Sequence, residues 1–364
     1  MDFHIAPGVT AKDAAEAHLL DLKIQKEYGC KCITYWHDSN RGSGFCLIEA
    51  ENQDSVINLH SNSHGNVPFE IIQVDKNIVK AFLGRDKDPE TYDKYSDTNL
   101  KIIEDPAFRI ILVTKTKDER LLKHELGEER ATELLAIHNK IIRKQIKKYN
   151  GREAELFSDG FIVSFVSVNE ALECAVTMRK SLHVATGLLD MRIGIHSGMP
   201  VNKSSRIFGK TIDLASFFCS FGKGGQIAIS SQVKNLFKND KIKLNSALNN
   251  AVWISPAEER FLEFLLETLE KNWNNSEFNI MDFCSEMAVS KSQLYRKSKY
   301  LTGMSPNELV REFRLNKALE LLKDDNQNIS EVSYETGFNS PSYFTKCFQN
   351  RFGIQPLIYH KELA

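Results

Sequence analysis

Apolar positions along this chain change their period twice. Over roughly the first 75 residues they form short alternating runs separated by two stretches of helical spacing. Strands are predicted near Phe3–Ile5, Lys31–Trp36, Gly44–Ala50 and Phe69–Val74, with helices from about Thr10 to Tyr28 and from about Gln53 to Asn62. A charged, turn-rich stretch follows, with D-K-D-P-E at Asp86 to Glu90, and reads as a connector with room for a short helix. The next pattern mixes both periods. It predicts a strand at Phe108–Thr114, a long helix from about Leu121 to Tyr149 and a hairpin-like pair around Glu155–Phe157 and Phe161–Phe165. A helix at Asn169–Leu182, a strand at Met191–Ile195, a helix at Thr211–Phe221 and a strand at Gln226–Ser230 complete it. Beyond about residue 256 the spacing is helical throughout.

These patterns predict a multidomain α+β protein. The order βαββαβ over residues 1–75 implies a split-βαβ, ferredoxin-like sandwich with helices on one face. Such a sheet often pairs with a second copy to bury its open face. Residues 76–107 are the connector and 108–238 an α+β sheet domain. A linker at 239–256 falls largely in the polar, asparagine-rich run Lys238 to Asn250. Residues 257–364 are an all-α domain. Gly222-Lys223-Gly224-Gly225 lacks the spacing of a phosphate loop and reads as a turn before a strand.

Within the last domain two units share one design. The first runs from Asn279 to Gly303 and the second from Asn328 to Gly353. In each, a helix of about eight residues meets a tight turn, and a second helix opens on a serine and ends at a glycine. That is the helix-turn-helix plan, whose second helix is shaped to enter the major groove. Ser290 and Ser340 stand at N-cap positions, Gly303 and Gly353 at C-terminal left-handed positions, and Gly337 in the second turn, where a positive φ is often needed. Ser305-Pro306 starts a connecting helix whose Leu309, Phe313, Leu315, Ala318, Leu319 and Leu322 form one apolar stripe. Leu294, Leu301, Phe338, Phe344 and Phe348 are assigned to the core.

These residues resemble the AraC/XylS-type transcription-factor domain. The likeness covers about 100 residues and carries L-x-R-K with T-G-x-S-P, then G-F-x-S-P-S-Y-F-T-K-x-F and F-G-x-x-P. Ser333 stands where alanine is usual, His360 where arginine is usual, and Ser298 where an apolar residue would pack, which predicts a looser core there. The resemblance implies that Ser292, Tyr295 and Arg296 face base edges from the first recognition helix, and Ser342, Thr345 and Lys346 from the second. Lys291 and Lys299 then fall on phosphate. It also implies double-stranded DNA as partner, with RNA polymerase engaged by an activator.

Composition narrows the setting. The chain has 364 residues, 42% of them hydrophobic, and a mean hydropathy of −0.34, so each domain has enough apolar residues for its own core. No apolar run approaches the ~18 residues of a membrane span, and the first residues do not read as a signal sequence. Seven scattered cysteines without a C-x-x-C point to the cytoplasm. Formal charge is about −5 over residues 1–74, about +7 over 75–254 and about −3 over 255–364. A slightly acidic last domain weakens phosphate binding, although Lys291, Arg296, Lys297 and Lys299 crowd the first recognition helix with no acid among them. Acids gather instead on the leading helix, Glu258 to Glu270, which reads as solvated on one face. Weak, salt-sensitive binding is expected unless the protein dimerises.

Five of the ten histidines, His4, His18, His37, His60 and His64, lie in the first domain. His60 and His64 are four apart on a predicted helix and can share one ion; Asp21 lies three after His18, and Cys46 offers a soft ligand. The same residues also suit ordinary polar helix ends. The segment resembles a small family of ferredoxin-like nickel-binding proteins, through A-H-x-x-D-x-x-x-Q (Ala17 to Gln25), Y-W-x-D (Tyr35 to Asp38), F-C-L-x-E-A (Phe45 to Ala50) and H-x-x-x-H-G (His60 to Gly65). Candidate ligands are His18, Asp21, Cys46, His60 and His64, for nickel, zinc or copper.

The middle domain resembles the catalytic domain of class III nucleotidyl cyclases. The likeness rests on F-S-D-G-F-I-V-S-F (Phe157 to Phe165), R-I-G-I-H-S-G (Arg192 to Gly198), I-F-G-K-T-I-D-L-A (Ile207 to Ala215) and G-G-Q-I-A-I-S-S (Gly224 to Ser231). That chemistry needs two aspartates on paired metal ions. Asp159 matches one, but Lys115 stands where the other belongs. The family's ribose-orienting asparagine and transition-state arginine correspond to Asp213 and Phe217. Three losses predict no catalysis, with Lys115, Asp159 and Asp213 left as the remnant of a ligand pocket and Lys115 free to pair with Asp159. Such domains dimerise head to tail, so this one is expected to dimerise, to bind a nucleotide-like ligand, or to serve as packing alone.

The sequence therefore predicts a DNA-binding transcription regulator of the AraC type, a homodimer controlled by a small-molecule or metal effector, with no membrane association. The alternative is a nucleotidyl cyclase tethered to a DNA-binding domain.

Overall fold

Strand alternation explains how the front of the molecule is assembled. A four-stranded antiparallel sheet contains β1 (Asp2–Ile5), β2 (Lys31–Asp38), β3 (Ser43–Glu49) and β4 (Glu70–Ile71), in the order β2-β3-β1-β4. Successive side chains point to opposite faces. Asp2, His4, Tyr35 and Cys46 thus turn toward α1 (Ala11–Ile24) and α2 (Gln53–Ser63), while Phe3, Trp36, Phe45 and Leu47 turn away and are buried. The computed structural model describes residues 1–89, 93–94, 100–185, 191–219, 226–237, 248–324 and 327–361. The glycine turn at 222–225, Glu90 and most of the run Lys238 to Asn250 lie outside the described residues.

The apolar face does not wait for a second copy of the chain. It packs on α3 (Lys76–Leu83) and on the sheet of the middle domain, in one cluster with Val79, Phe82, Leu83, Ile111, Val113, Ile162 and Phe208. The stretch expected to be a connector is therefore structural. Its charged composition hid Val79, Phe82 and Leu83, three apolar residues at helical spacing behind the cap formed by Asp75. Buried Arg109 donates to Leu83 O (3.0 Å), and Ser164 Oγ to Phe82 O (2.7 Å). Arg85 donates to Tyr35 O (2.6 Å) and Asp105 (2.9 Å) and lies over the Trp36 ring.

The second sheet has six strands: β7 (Arg109–Lys115), β8 (Arg152–Phe157), β9 (Gly160–Phe165), β10 (Arg192–Gly198), β11 (Ile227–Ile229) and β12 (Val252–Trp253), ordered β12-β11-β10-β7-β9-β8. A two-stranded pair, β5 (Asp93–Lys94) and β6 (Lys101–Ile102), precedes it. Both faces of the large sheet are covered, so its central strands are continuously apolar. Ile110 and Leu112 meet α5 (Glu128–Lys148) and α6 (Val168–Ala185); Ile111 and Val113 face α7 (Gly209–Cys219) and the front module. The long helix expected over 121–149 is two helices, α4 (Glu119–Leu126) and α5. Gly127, at φ 82°, breaks it.

α8 (Ser231–Leu236) precedes β12, and beyond that strand the described elements are all helices: α9 (Pro256–Asn272), α10 (Ile280–Glu286), α11 (Lys291–Thr302), α12 (Pro306–Leu321), α13 (Ile329–Glu335), α14 (Pro341–Phe352) and α15 (Pro356–Lys361). Capping follows the sequence: Ser290 accepts from Gln293 N, Ser340 from Tyr343 N, and Gly303 and Gly353 close their helices at φ 75° and 80°. Gly337 also has φ 75°, and a Cβ there would meet Trp273 O at 2.6 Å. In the first unit the turn residue with positive φ is Ala288, at 49° and exposed. A left-handed alanine costs about 1–2 kcal/mol, so Ala288→Gly is expected to stabilise the protein by about 1 kcal/mol, read from the urea midpoint.

Of the three positions that depart from the family pattern, Ser298 and Ser333 are fully buried and His360 is half-buried. The hydroxyls of Ser298 and Ser333 have no hydrogen-bond partner among the described residues. Burying an unsatisfied hydroxyl costs about 1–3 kcal/mol, so Ser298→Ala and Ser333→Ala should each raise stability by about 1 kcal/mol in the same measurement. The leading helix α9 is not simply solvated on its acidic side: Glu259 is buried, facing the middle domain. Leu262, Leu265 and Leu266 of α9 share a core with Leu214, Phe217 and Phe218 of α7.

Candidate nucleic-acid interface and buried histidine cluster

Both second helices of the C-terminal units offer a polar face. On α11, Leu294 and Ser298 turn inward, leaving Lys291, Ser292, Tyr295, Arg296 and Lys299 exposed. On α14, Phe344 and Phe348 are buried, Ser342 and Lys346 exposed and Thr345 half-buried. Lys299 Nζ lies 3.6 Å from Glu308, a partner that phosphate would have to displace. Between the units a groove of about 320 Å³ is lined by Asn279, Asn307, Arg311, Asn339 and Tyr343. Sequence reasoning missed Arg311 and Tyr343, although each is an exposed side chain on a helix whose other positions fill the core. Arg351 grips Glu312 with two nitrogens (2.6–2.8 Å), fixing α14 on the connecting helix.

On the helix-facing side of the front sheet, polar groups converge. One donor atom from each of Asp2, His4, Cys46 and His60 lies within 4.8 Å of the others, and the same holds for Asp21, His60 and His64. His60 joins the groups: its Nε2 is 3.0 Å from Asp2 Oδ2 and its Nδ1 is 3.0 Å from His64 Nε2 and 3.3 Å from Asp21. Both nitrogens of His4 are buried without a hydrogen-bond partner. Burial works against charge here, yet the hydrogen bond from His60 and the nearby His4 ring, its Nε2 3.5 Å from Asp2 Oδ1, hold the Asp2 carboxyl far below its usual range. Burial likewise disfavours the His60 imidazolium, but the bonds to Asp2 and Asp21 outweigh it and raise its pKa to about 9. Of the expected ligands, Asp21, Cys46, His60 and His64 come together. His18 does not join either group; its ring packs at 5.0 Å from that of Tyr35. His64 follows the last residue of α2, where it caps the helix instead of belonging to it. The missed members, Asp2 and His4, were readable as alternate positions of one strand, which share a face.

In the middle domain, Lys115 Nζ lies 3.9 Å from Asp159 Oδ2. Asp213 is paired with Arg206, and Phe217 is buried against α9. These residues line a cleft of about 1190 Å³, walled on its other side by Leu269, Phe313, Lys317 and Glu320 of the C-terminal helices. At its edge Asp118 accepts from Tyr359 Oη (3.2 Å) and pairs with Lys323 (3.3 Å), and Arg120 donates to Leu322 O (3.1 Å).

Three family models match separate stretches of the chain. Residues 283–362 match the helix-turn-helix domain. The chain ends in a domain of the AraC type. Residues 1–74 match the nickel responsive protein SCO4226-like family, and residues 117–254 the adenylate and guanylate cyclase catalytic domain. The AraC-type domain is 38% identical over 80 residues to the uncharacterized HTH-type transcriptional regulator YdeC of Bacillus subtilis, covering 22% of this chain and 28% of that protein. It is 34% identical over 92 residues to the HTH-type transcriptional activator RhaS of Mannheimia succiniciproducens, covering 25% of this chain and 34% of that one. A longer match, 26% identical over 360 residues, joins 89% of this chain to 25% of histidine kinase P4 of Formosa agariphila. The chain thus spans about a quarter to a third of these relatives. Among solved structures, a transcriptional regulator from Chromobacterium violaceum with an AraC-type DNA-binding domain is 28% identical, covering 30% of this chain and 96% of that one, with a TM-score of 0.28. No helix among the described residues is long and apolar enough to cross a membrane.

Proposed function

We propose that this chain is a sequence-specific transcription regulator that grips duplex DNA through α11 and α14 and takes its control from the two modules before them. The observation that carries the reading is the pair of capped second helices, each with an apolar face buried and a polar face free. Lys291, Ser292, Tyr295, Arg296 and Lys299 act from the first, and Ser342, Thr345 and Lys346 from the second. A homodimer would double the phosphate contacts and offset the acidic charge of the domain. RNA polymerase is the further partner if the protein activates.

The front cluster fits a transition metal. Its donor set of imidazoles, carboxylates and one thiol suits nickel, zinc or copper, and both His4 nitrogens are buried without a hydrogen bond among the described residues. Asp2, His4, Cys46 and His60, with Asp21 and His64 beside them, would hold the ion, and a bound ion would cross-link β1, β3 and α2. The middle domain acts as a catalytically inactive scaffold. Lys115 beside Asp159 sets a cation against the one aspartate that matches the metal-binding pair, and a paired Asp213 and a buried Phe217 stand in place of the asparagine and arginine that the resemblance calls for. Its dimer contacts, or a nucleotide-like ligand beside Lys115, Asp159 and Asp213, would serve regulation.

Mapping bound genomic sites with and without added nickel, zinc or copper tests the reading. A reproducible operator is expected, with occupancy that changes on metal addition; absence of any enriched site overturns it. In parallel, ATP or GTP with manganese should give no cyclic product. Protein purified without a histidine tag should carry one bound ion per chain more than the His60→Ala, His64→Ala double variant.

A further inference from the structure

A second group of donors lies far from the front sheet, where the middle domain meets α9. His196 of β10 is 5% exposed, and its Nδ1 is buried without a hydrogen-bond partner. That nitrogen lies 3.7 Å from Glu259 Oε1. Glu259 is itself 3% exposed, and its other oxygen accepts the backbone N–H of Ser231 at 2.5 Å, which fixes the carboxylate in place. Glu263 follows one turn later on the same face of α9. One donor atom from each of His196, Glu259 and Glu263 lies within 4.8 Å of the others. Lys210 and Arg260 are close enough to act on Glu263, but Lys210 is ion-paired with Glu267. Two carboxylates on adjacent turns therefore face an imidazole with no ion-paired cation among the described residues. Keeping both carboxylates charged there is unfavourable, and a positive ion between them would offset that cost.

We propose that His196, Glu259 and Glu263 form a site for a divalent metal ion of the zinc class, set between the sheet domain and the first helix of the DNA-binding domain. One imidazole and two carboxylates form a donor set for zinc, with a fourth position left for water. Bonds of about 2.0–2.2 Å put neighbouring donor atoms roughly 3–3.5 Å apart, so only a small contraction from the present spacing is needed. Two ligands come from α9 and one from β10. An occupied site therefore staples the DNA-binding domain to the sheet, and an empty one leaves that contact to apolar packing. The site is independent of the front cluster and of whether that cluster binds nickel.

The test uses the full chain, purified without a histidine tag, stripped of metal and re-equilibrated with zinc at a small excess. Wild type and Glu263→Gln are compared for bound zinc by elemental analysis; Glu263 is only half-buried, so the exchange keeps the fold. The variant is expected to hold one zinc fewer per chain, whatever the front cluster contributes, since that contribution is common to both. Glu263→His, which retains a donor, should keep the ion. Zinc should also slow amide hydrogen exchange across α9 in wild type but not in Glu263→Gln, an effect that an ion adsorbed elsewhere would not produce. Equal zinc content in wild type and Glu263→Gln, or unchanged exchange in α9 on zinc addition, overturns the proposal.

Discussion

Alanine at both Arg296 and Lys346 is expected to abolish sequence-specific duplex binding while leaving the protein folded. Both side chains are exposed, on α11 and α14 respectively, and make no packing contribution to the cores beneath them. A guanidinium that takes guanine O6 and N7 together is worth about 1–3 kcal/mol of discrimination. Lys346 adds a charge on the other reading helix, and the two losses should combine nearly additively because they share no partner. The expected total is about 2–5 kcal/mol, roughly two to three orders of magnitude in affinity. Gel shift or fluorescence anisotropy on an operator found by site mapping reads it, and the salt dependence should become shallower as cationic contacts are lost. The unfolding midpoint should stay within about 0.5 kcal/mol of wild type, as for other surface changes. Unaltered promoter occupancy by the folded double variant would remove DNA reading from these helices.

A large loss of stability is expected from a side chain at Gly194, in the middle of β10. A Cβ there would sit 1.9 Å from Ala215 O and 3.1 Å from Phe218 Cβ. The obstacle is backbone, so no rotamer change relieves it. Nor can α7 retreat, because Leu214, Phe217 and Phe218 are packed against α9 on their other side. Gly194→Ala should therefore cost more than about 3 kcal/mol, measured by urea denaturation. Gly44→Ala is the control: the nearest atoms to its Cβ are 3.9 Å away, and little change is expected.

Local chemistry was legible wherever a side chain signals its own backbone. Serine caps, closing glycines and strict alternation gave the helix-turn-helix pair and the front βαββαβ order, because those features depend on neighbours in sequence. The break at Gly127 was missed because apolar spacing continues across it, and only its positive φ ends the helix. The burial of Val79, Phe82 and Leu83 was missed because it depends on a surface supplied by strands much later in the chain. The front cluster was half legible. Helical spacing pointed to His60 and His64, but Asp2 and His4 reach them only through the pairing of β1 with β3, which no local pattern states. Glu259 looked like one more acid on a charged helix, and its burial comes from docking onto the sheet domain.

The front sheet is clad on both sides by parts of one polypeptide, with Asp2, His4 and Cys46 to one side and Phe3, Trp36, Phe45 and Leu47 to the other. It is consequently no detachable cartridge. Cut away, it would show water a bare aromatic plane, and the remainder would lose the cover over Phe82, Ile111 and Phe208. The strands that carry Asp2, His4 and Cys46 on one face are thus, one strand's thickness away, the wall of the next module's core.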